Sequence, residues 1–99
     1  MSLIICDARF REVNKPTRFD EDITMILRKD VVDNKLVKVY TPKKFSSRRA
    51  TGERKEVWIK YQEYPGGKFR EATFPESVSS HKSISVHLVV NTAELEPAL

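Results

Sequence analysis

The sequence predicts a mainly β fold: a small antiparallel barrel or sandwich of five to six strands, with at most one helix, near residues 17–29. Three observations support this. Short segments alternate apolar and polar residues, turn-forming residues separate these segments, and no long helical periodicity interrupts them. A chain of 99 residues also suits one folding unit. We therefore treat residues 1–99 as a single β-rich domain.

The first strand is predicted over residues 3–10. Ile4, Cys6, Ala8 and Phe10 share one parity, whereas the charged residues Asp7, Arg9 and Arg11 share the other. This is the pattern of a half-buried strand, because successive side chains of a strand point to opposite faces.

Residues 17–29 are compatible with two structures. In a helix, Phe19, Ile23 and Leu27 lie on one face. In a strand, Ile23 and Leu27 lie on one side together with Met25. The pattern does not choose between them, and both remain open here.

The second half of the chain shows clearer strand and turn signals. Asp33-Asn34 is a turn signal, and Val37 and Val39 share one face of the β-type run that follows it. Residues 56–64 and 68–74 are predicted to form a hairpin, in which Pro65 and Gly66 take the two central positions of a type II turn. Residues 83–90 form the last strand and place alternate apolar residues on one face: Ile84, Val86, Leu88 and Val90.

The charge of the chain is concentrated in its middle third. Residues 28–60 carry eleven basic and four acidic side chains, a net charge of +7, whereas residues 1–27 and 61–99 carry −1 and −2. Within this region, residues 41–55 show no apolar periodicity and are predicted to form a basic loop or arm. A structureless stretch of this length is usually functional or disordered in a compact domain.

Basic and aromatic residues alternate in and beside this arm. Cations neutralise phosphates, and aromatic faces stack on unpaired bases. The pattern predicts a non-enzymatic nucleic-acid-binding accessory protein, for DNA or RNA, with a preference for single strands if the aromatic rings face outward. The alternative is a protein–protein interaction module, such as a regulator, inhibitor or complex subunit, whose basic loop docks on an acidic partner. The predicted contacts are Lys43, Lys44, Phe45, Arg48, Arg49, Arg54, Lys55, Trp58 and Lys60.

Other chemistries lack support in the sequence. If residues 81–87 form one continuous strand, His81 and His87 lie too far apart to share a metal, and Cys6 has no partner cysteine. No nucleophile elbow or phosphate-binding glycine loop occurs, so we expect no enzyme, cofactor or metal. The lone cysteine and the lack of a signal-peptide pattern favour a cytoplasmic location, and no apolar run is long enough to span a membrane. A homodimer through exposed strand edges stays open.

Overall fold

A computed structural model describes residues 3–13, 20–45, 54–77 and 83–90. Within these ranges the chain forms six strands and two short helices. Their order is β1 (Ile4–Glu12), β2 (Asp20–Asp22), α1 (Thr24–Asp30), β3 (Lys35–Tyr40), α2 (Pro42–Phe45), β4 (Lys55–Gln62), β5 (Arg70–Pro75) and β6 (Ile84–Val89). The mainly β class predicted from the sequence is confirmed.

The strands form two antiparallel sheets that share one core. Sheet A has the order β2-β1-β4-β5, and sheet B pairs β3 with β6. Their inner faces meet in a single cluster of buried residues, to which Ile23, just before α1, and Leu27 of α1 also belong. The fold is therefore a small sandwich-like arrangement and not a closed barrel, which leaves each sheet with an outer face.

The inner face of β1 differs from the predicted parity at its start. Ala8 and Phe10 are buried as expected, but Ile5 is buried in place of Ile4 and Cys6. The cause is a register shift between Ile5 and Asp7 in the pairing of β1 with β4. An extra residue in one strand reverses the orientation of every side chain on one side of the bulge, so strict alternation misassigned these positions.

The segment with two open interpretations contains both elements, one after the other. Asp20–Asp22 pairs with β1, and the helix begins at Thr24. The Asp22 carboxylate accepts hydrogen bonds from the Thr24 hydroxyl at 2.7 Å and from its backbone N–H at 3.0 Å, and the same hydroxyl oxygen accepts the Ala8 N–H at 2.9 Å. These bonds hold the pKa of Asp22 below its usual range and join the start of α1 to β1. Residues 17–19 lie outside the described ranges.

Both predicted turns form with the backbone conformations their residues favour. Asp33 and Asn34 have φ values of 51° and 60°, and Val32 and Lys35 exchange backbone hydrogen bonds across them. Two positive φ values are characteristic of the tight hairpin turn that Asx residues tolerate. In the β4–β5 hairpin, Gly66 has φ 79° and the Gly67 N–H donates to the Tyr64 carbonyl at 3.0 Å.

Sheet B exposes the apolar residues that the sequence placed on one face of β3. Leu36 and Tyr40 point inward and are buried, whereas Val37 and Val39 are exposed on the outer face. Both parities of β3 contain large apolar residues, so the sequence pattern did not reveal which parity faces the core. In β6, by contrast, the predicted apolar parity is the buried one.

Candidate nucleic-acid interface

The basic arm begins at α2, which is anchored in the core by one aromatic side chain. Pro42 has no backbone N–H to satisfy and suits the first position of a helix. Phe45 ends the helix and is 8% exposed; its ring centroid lies 5.2 Å from that of Phe10 and 4.9 Å from that of Tyr40. The ring of Phe45 faces the core, so Phe45 packs against other aromatic residues and is not placed to stack on bases as the sequence predicted.

The anchored Phe45 leaves the two preceding lysines on the surface. Lys43 and Lys44 are both exposed, and within the described ranges neither side chain pairs with a carboxylate. Other cations of the fold do pair, including Arg9 with Asp7 at 3.0 Å. An exposed cation without an ion-pair partner stays available to an external anion, so α2 presents two such charges, although Lys44 also contributes to the electrostatic stabilisation of the Asp30 carboxylate.

The other end of the arm is fixed by hydrogen bonds to the ends of β1 and β5. The Arg54 side chain donates through Nε to the Glu76 carbonyl at 3.2 Å, and the Arg54 carbonyl accepts the Val13 N–H at 3.0 Å. The residue as a whole is exposed. Arg54 therefore holds the entry to β4 in place and keeps a cation at the surface.

Lys55 cannot be an exposed phosphate contact. Its side chain is fully buried, and its Nζ lies 3.7 Å from Oε1 of Glu12, which is also buried. The register explains this placement, since Lys55 shares the inward parity of Val57 and Ile59 and lies opposite Glu12. Glu76 is buried too, and its N–H donates to the Lys55 carbonyl at 2.9 Å. The ammonium group compensates buried carboxylate charge at the end of the core.

Trp58 and Lys60 lie on the outer face of sheet A, the side opposite Phe45. Trp58 is partly buried, and the Arg11 guanidinium lies 5.1 Å from its ring centroid. Lys60 Nζ lies 4.5 Å from the ring centroid of Phe69, an exposed aromatic residue that the sequence analysis did not single out. The predicted basic and aromatic constellation is thus divided between two sides of sheet A.

Carboxylates outnumber cations on this outer face. Cross-strand partners in the register share a face, and together they place five carboxylates beside three cations. Arg11 also pairs with Glu56 at 3.4 Å. A shallow depression of about 300 Å³ is lined by Arg11, Trp58, Glu71, Ala72 and Thr73. The excess of negative charge makes this face a poor surface for phosphates. The carboxylates are Asp7, Asp20, Asp22, Glu56 and Glu71, and the cations are Arg9, Arg11 and Lys60.

A polar network links α1 to β3 just before the basic arm. Asp30 accepts hydrogen bonds from the Tyr40 hydroxyl at 2.7 Å and from Lys38 Nζ at 3.2 Å. Burial favours the protonated form of Asp30, but these bonds outweigh it and hold its pKa below the usual range, with a further contribution from Lys44. Burial and the Asp30 carboxylate raise the pKa of Tyr40. The network fixes the end of β3 from which α2 departs.

Five of the nine predicted contact residues therefore keep a surface position and two do not. Lys43, Lys44 and Arg54 lie at the two ends of the arm, whereas Trp58 and Lys60 lie on the other side of sheet A. Phe45 and Lys55 are buried. Arg48 and Arg49 lie outside the described ranges.

Comparison with known proteins gives no relative from which a function could be transferred. No family model, curated protein or solved structure matches the chain. Within the described ranges, no helix is long and apolar enough to cross a membrane, and no three histidine, cysteine or acidic side chains are arranged to hold a metal ion.

Proposed function

We propose that this protein binds the sugar–phosphate backbone of nucleic acids through its basic arm. The observation that carries the proposal is the pair of exposed lysines on α2, Lys43 and Lys44, which have no carboxylate partner in the described part of the chain. They lie within residues 28–60, which carry a net charge of +7 in a chain whose flanks are slightly acidic. Arg54 supplies a further exposed cation at the other end of the arm, and Arg48 and Arg49 are the contacts proposed between them.

The proposed binding mode is electrostatic and independent of sequence. Phe45 packs in the core, and Trp58 lies on the acidic outer face of sheet A, so neither supports base stacking beside the arm. The preference for single strands depended on aromatic rings that face outward beside the arm, and these two rings do not support it. Binding that relies on phosphates alone is weak and is lost steeply as salt concentration rises.

The test is a fluorescence-anisotropy titration against single-stranded DNA, duplex DNA and RNA at several salt concentrations. If roughly five phosphates are engaged, the plot of log K against log salt should have a slope of about −3.5 for single strands and about −4.5 for duplex DNA. The double variant Lys43→Ala/Lys44→Ala should bind every sequence more weakly and make the slope shallower by roughly two or less. Its free energy of unfolding should change by less than about 0.5 kcal/mol, because both side chains are exposed.

A matched control removes two cations from elsewhere on the surface. The variant Lys60→Ala/Lys68→Ala has the same net charge as the α2 variant but keeps the arm intact. It should bind nearly as well as the unmodified protein. Equal loss in both variants would place the interface elsewhere, and no binding by folded protein at low salt would refute nucleic-acid binding. The alternative of an acidic protein partner uses the same lysines and would then become the leading hypothesis.

A further inference from the structure

The outer face of sheet B carries a group of exposed valines. Val32, Val37, Val39 and Val89 are exposed, and we call this group the valine face. Val37, Val39 and Val89 occupy outward positions of the paired strands, and Val32 joins them because it pairs with the outward-facing Lys35. The exposure is large: Val37 and Val39 are 57% and 61% exposed.

Single exposed apolar residues are ordinary, but a group that shares one face is not. Val37 and Val39 are successive outward residues of β3, and Val89 lies diagonally across from Val37, because Val89 pairs with Lys35 and Val37 pairs with His87. Burying a valine side chain fully yields about 1.5 kcal/mol or more, so covering these residues would be favourable. An exposed apolar group rimmed by polar residues is a candidate for an interaction site.

The face and not the free edge of β3 is the surface available for docking. Lys38 has the inward parity of β3, yet it is exposed and its ammonium pairs with Asp30 of α1 at 3.2 Å. An inward-pointing charge on an edge strand opposes the addition of another strand. A partner that pairs with the β3 backbone would disturb this ion pair, whereas a partner that packs on the valine face would leave it intact.

The dimensions of the face indicate the kind of partner. Two paired strands of six residues cover about 20 Å in length and roughly 10 Å in width. A stable interface between two folded domains buries about 800 Å² on each partner, which is far more than such a face offers. One α-helix has a diameter of about 10–12 Å, and roughly 13 residues of helix span 20 Å. The face therefore suits a single helix better than a second copy of the domain.

The charge on the face indicates the polar chemistry of that helix. The outward positions of β3 and β6 hold one cation, Lys35, and no carboxylate. Lys35 is exposed and pairs with no carboxylate within the described ranges. We propose that the valine face docks an amphipathic helix of a partner protein, apolar on one side and carrying carboxylates at the border that meets Lys35.

The test uses a designed helical peptide of about four turns as the probe. One version carries leucine and alanine on one side with glutamate along the border, and the other carries lysine in place of glutamate. Methyl and amide NMR spectra of the full chain should show shifts centred on the valine face. The glutamate peptide should bind at least fivefold more tightly than the lysine peptide.

Variants locate the binding and separate it from unfolding. The variant Val37→Thr/Val39→Thr keeps side-chain shape and β propensity but removes apolar surface, so its affinity should fall by about tenfold. Met25→Gln removes a side chain that is 61% exposed on α1 and should leave the affinity unchanged. Dispersed NMR spectra of each variant establish that it is folded.

Charge reversal at Lys35 gives the sharpest outcome. Lys35→Glu should reverse the preference, so that the lysine peptide binds more tightly than the glutamate peptide. Shifts centred away from the valine face, or equal affinity for the two peptides, would overturn the proposal. Valine-face shifts that depend on protein concentration without peptide would overturn it as well, since they would assign the face to a second copy of the chain. The Lys43→Ala/Lys44→Ala variant should bind the peptide normally, because Lys43 and Lys44 lie on α2 and not on β3 or β6.

Discussion

Truncation of Phe45 distinguishes a core anchor from a nucleic-acid platform. Phe45→Ala removes a ring that is 8% exposed and contacts both Phe10 and Tyr40. Phenylalanine-to-alanine changes in cores lower the free energy of unfolding by about 3–5 kcal/mol. We expect a value near the lower limit, about 3 kcal/mol, because α2 has only four residues and can relax into part of the space.

Urea denaturation, followed by circular dichroism and by the fluorescence of Trp58, measures this loss. Trp58 is the single tryptophan of the chain, so its signal has one source. For a domain of this size, 3 kcal/mol corresponds to a fall in Tm of roughly 12–24 °C. This loss is a large fraction of the total free energy of unfolding, which is only about 5–15 kcal/mol for a small domain.

The matched control truncates an aromatic residue on the surface. Phe69 is 60% exposed, so Phe69→Ala should lower the free energy of unfolding by less than about 1 kcal/mol. The assignment of Phe45 to the core would be refuted if Phe45→Ala were no more destabilising than Phe69→Ala. A Phe45→Ala protein of unchanged stability that had lost nucleic-acid binding would restore the stacking role.

Two further predictions concern buried and partly buried charges. Lys55→Met should lower the free energy of unfolding by about 3–5 kcal/mol, because it leaves Glu12 buried without its cation. In urea denaturation, the double variant Lys55→Met/Glu12→Leu should recover most of this loss. If the single variant were as stable as the double variant, the pairing of Lys55 with Glu12 would be contradicted. The pKa of Asp30 is lower in the folded state than in the unfolded state. The stability that Asp30 contributes is therefore fully present above its unfolded pKa of about 3.9, and it is lost as the pH falls through the lower folded pKa. Asp30→Asn should therefore be less stable than the unmodified protein at pH 7, and this difference should shrink in acid; a difference that does not change with pH would contradict the prediction.

The sequence predicted those elements whose signals are local. Gly66 and the Asp33-Asn34 pair mark turns because few residues tolerate positive φ, and both turns form. The strict alternation of β6 identified its buried face. Residues 20–30 were harder to predict, because α1 is short and its first residue is joined to β1 by the hydrogen bond between Thr24 and Ala8, sixteen positions earlier, which no local pattern reveals.

The predicted site depended on contacts between distant parts of the chain. Basic residues in a run look equivalent in sequence, yet Lys43 and Lys44 are exposed, whereas Lys55 is buried against Glu12, more than forty positions earlier. Likewise, Phe45 and Trp58 both appeared as aromatic neighbours of the arm. Phe45 packs against Phe10 on the inner side of sheet A, whereas the register of β4 places Trp58 on the outer face.

By itself, the sequence determined the β class, the turns and the uneven distribution of charge, because backbone preference, alternation and net charge are properties of short segments. Only the tertiary structure decided which parity of β3 faces the core and which cations remain unpaired. It did so through the bulge in β1, the pairing of β3 with β6 and the docking of Phe45. Burial depends on what packs against a side chain, and that partner is set by strands far away in the sequence.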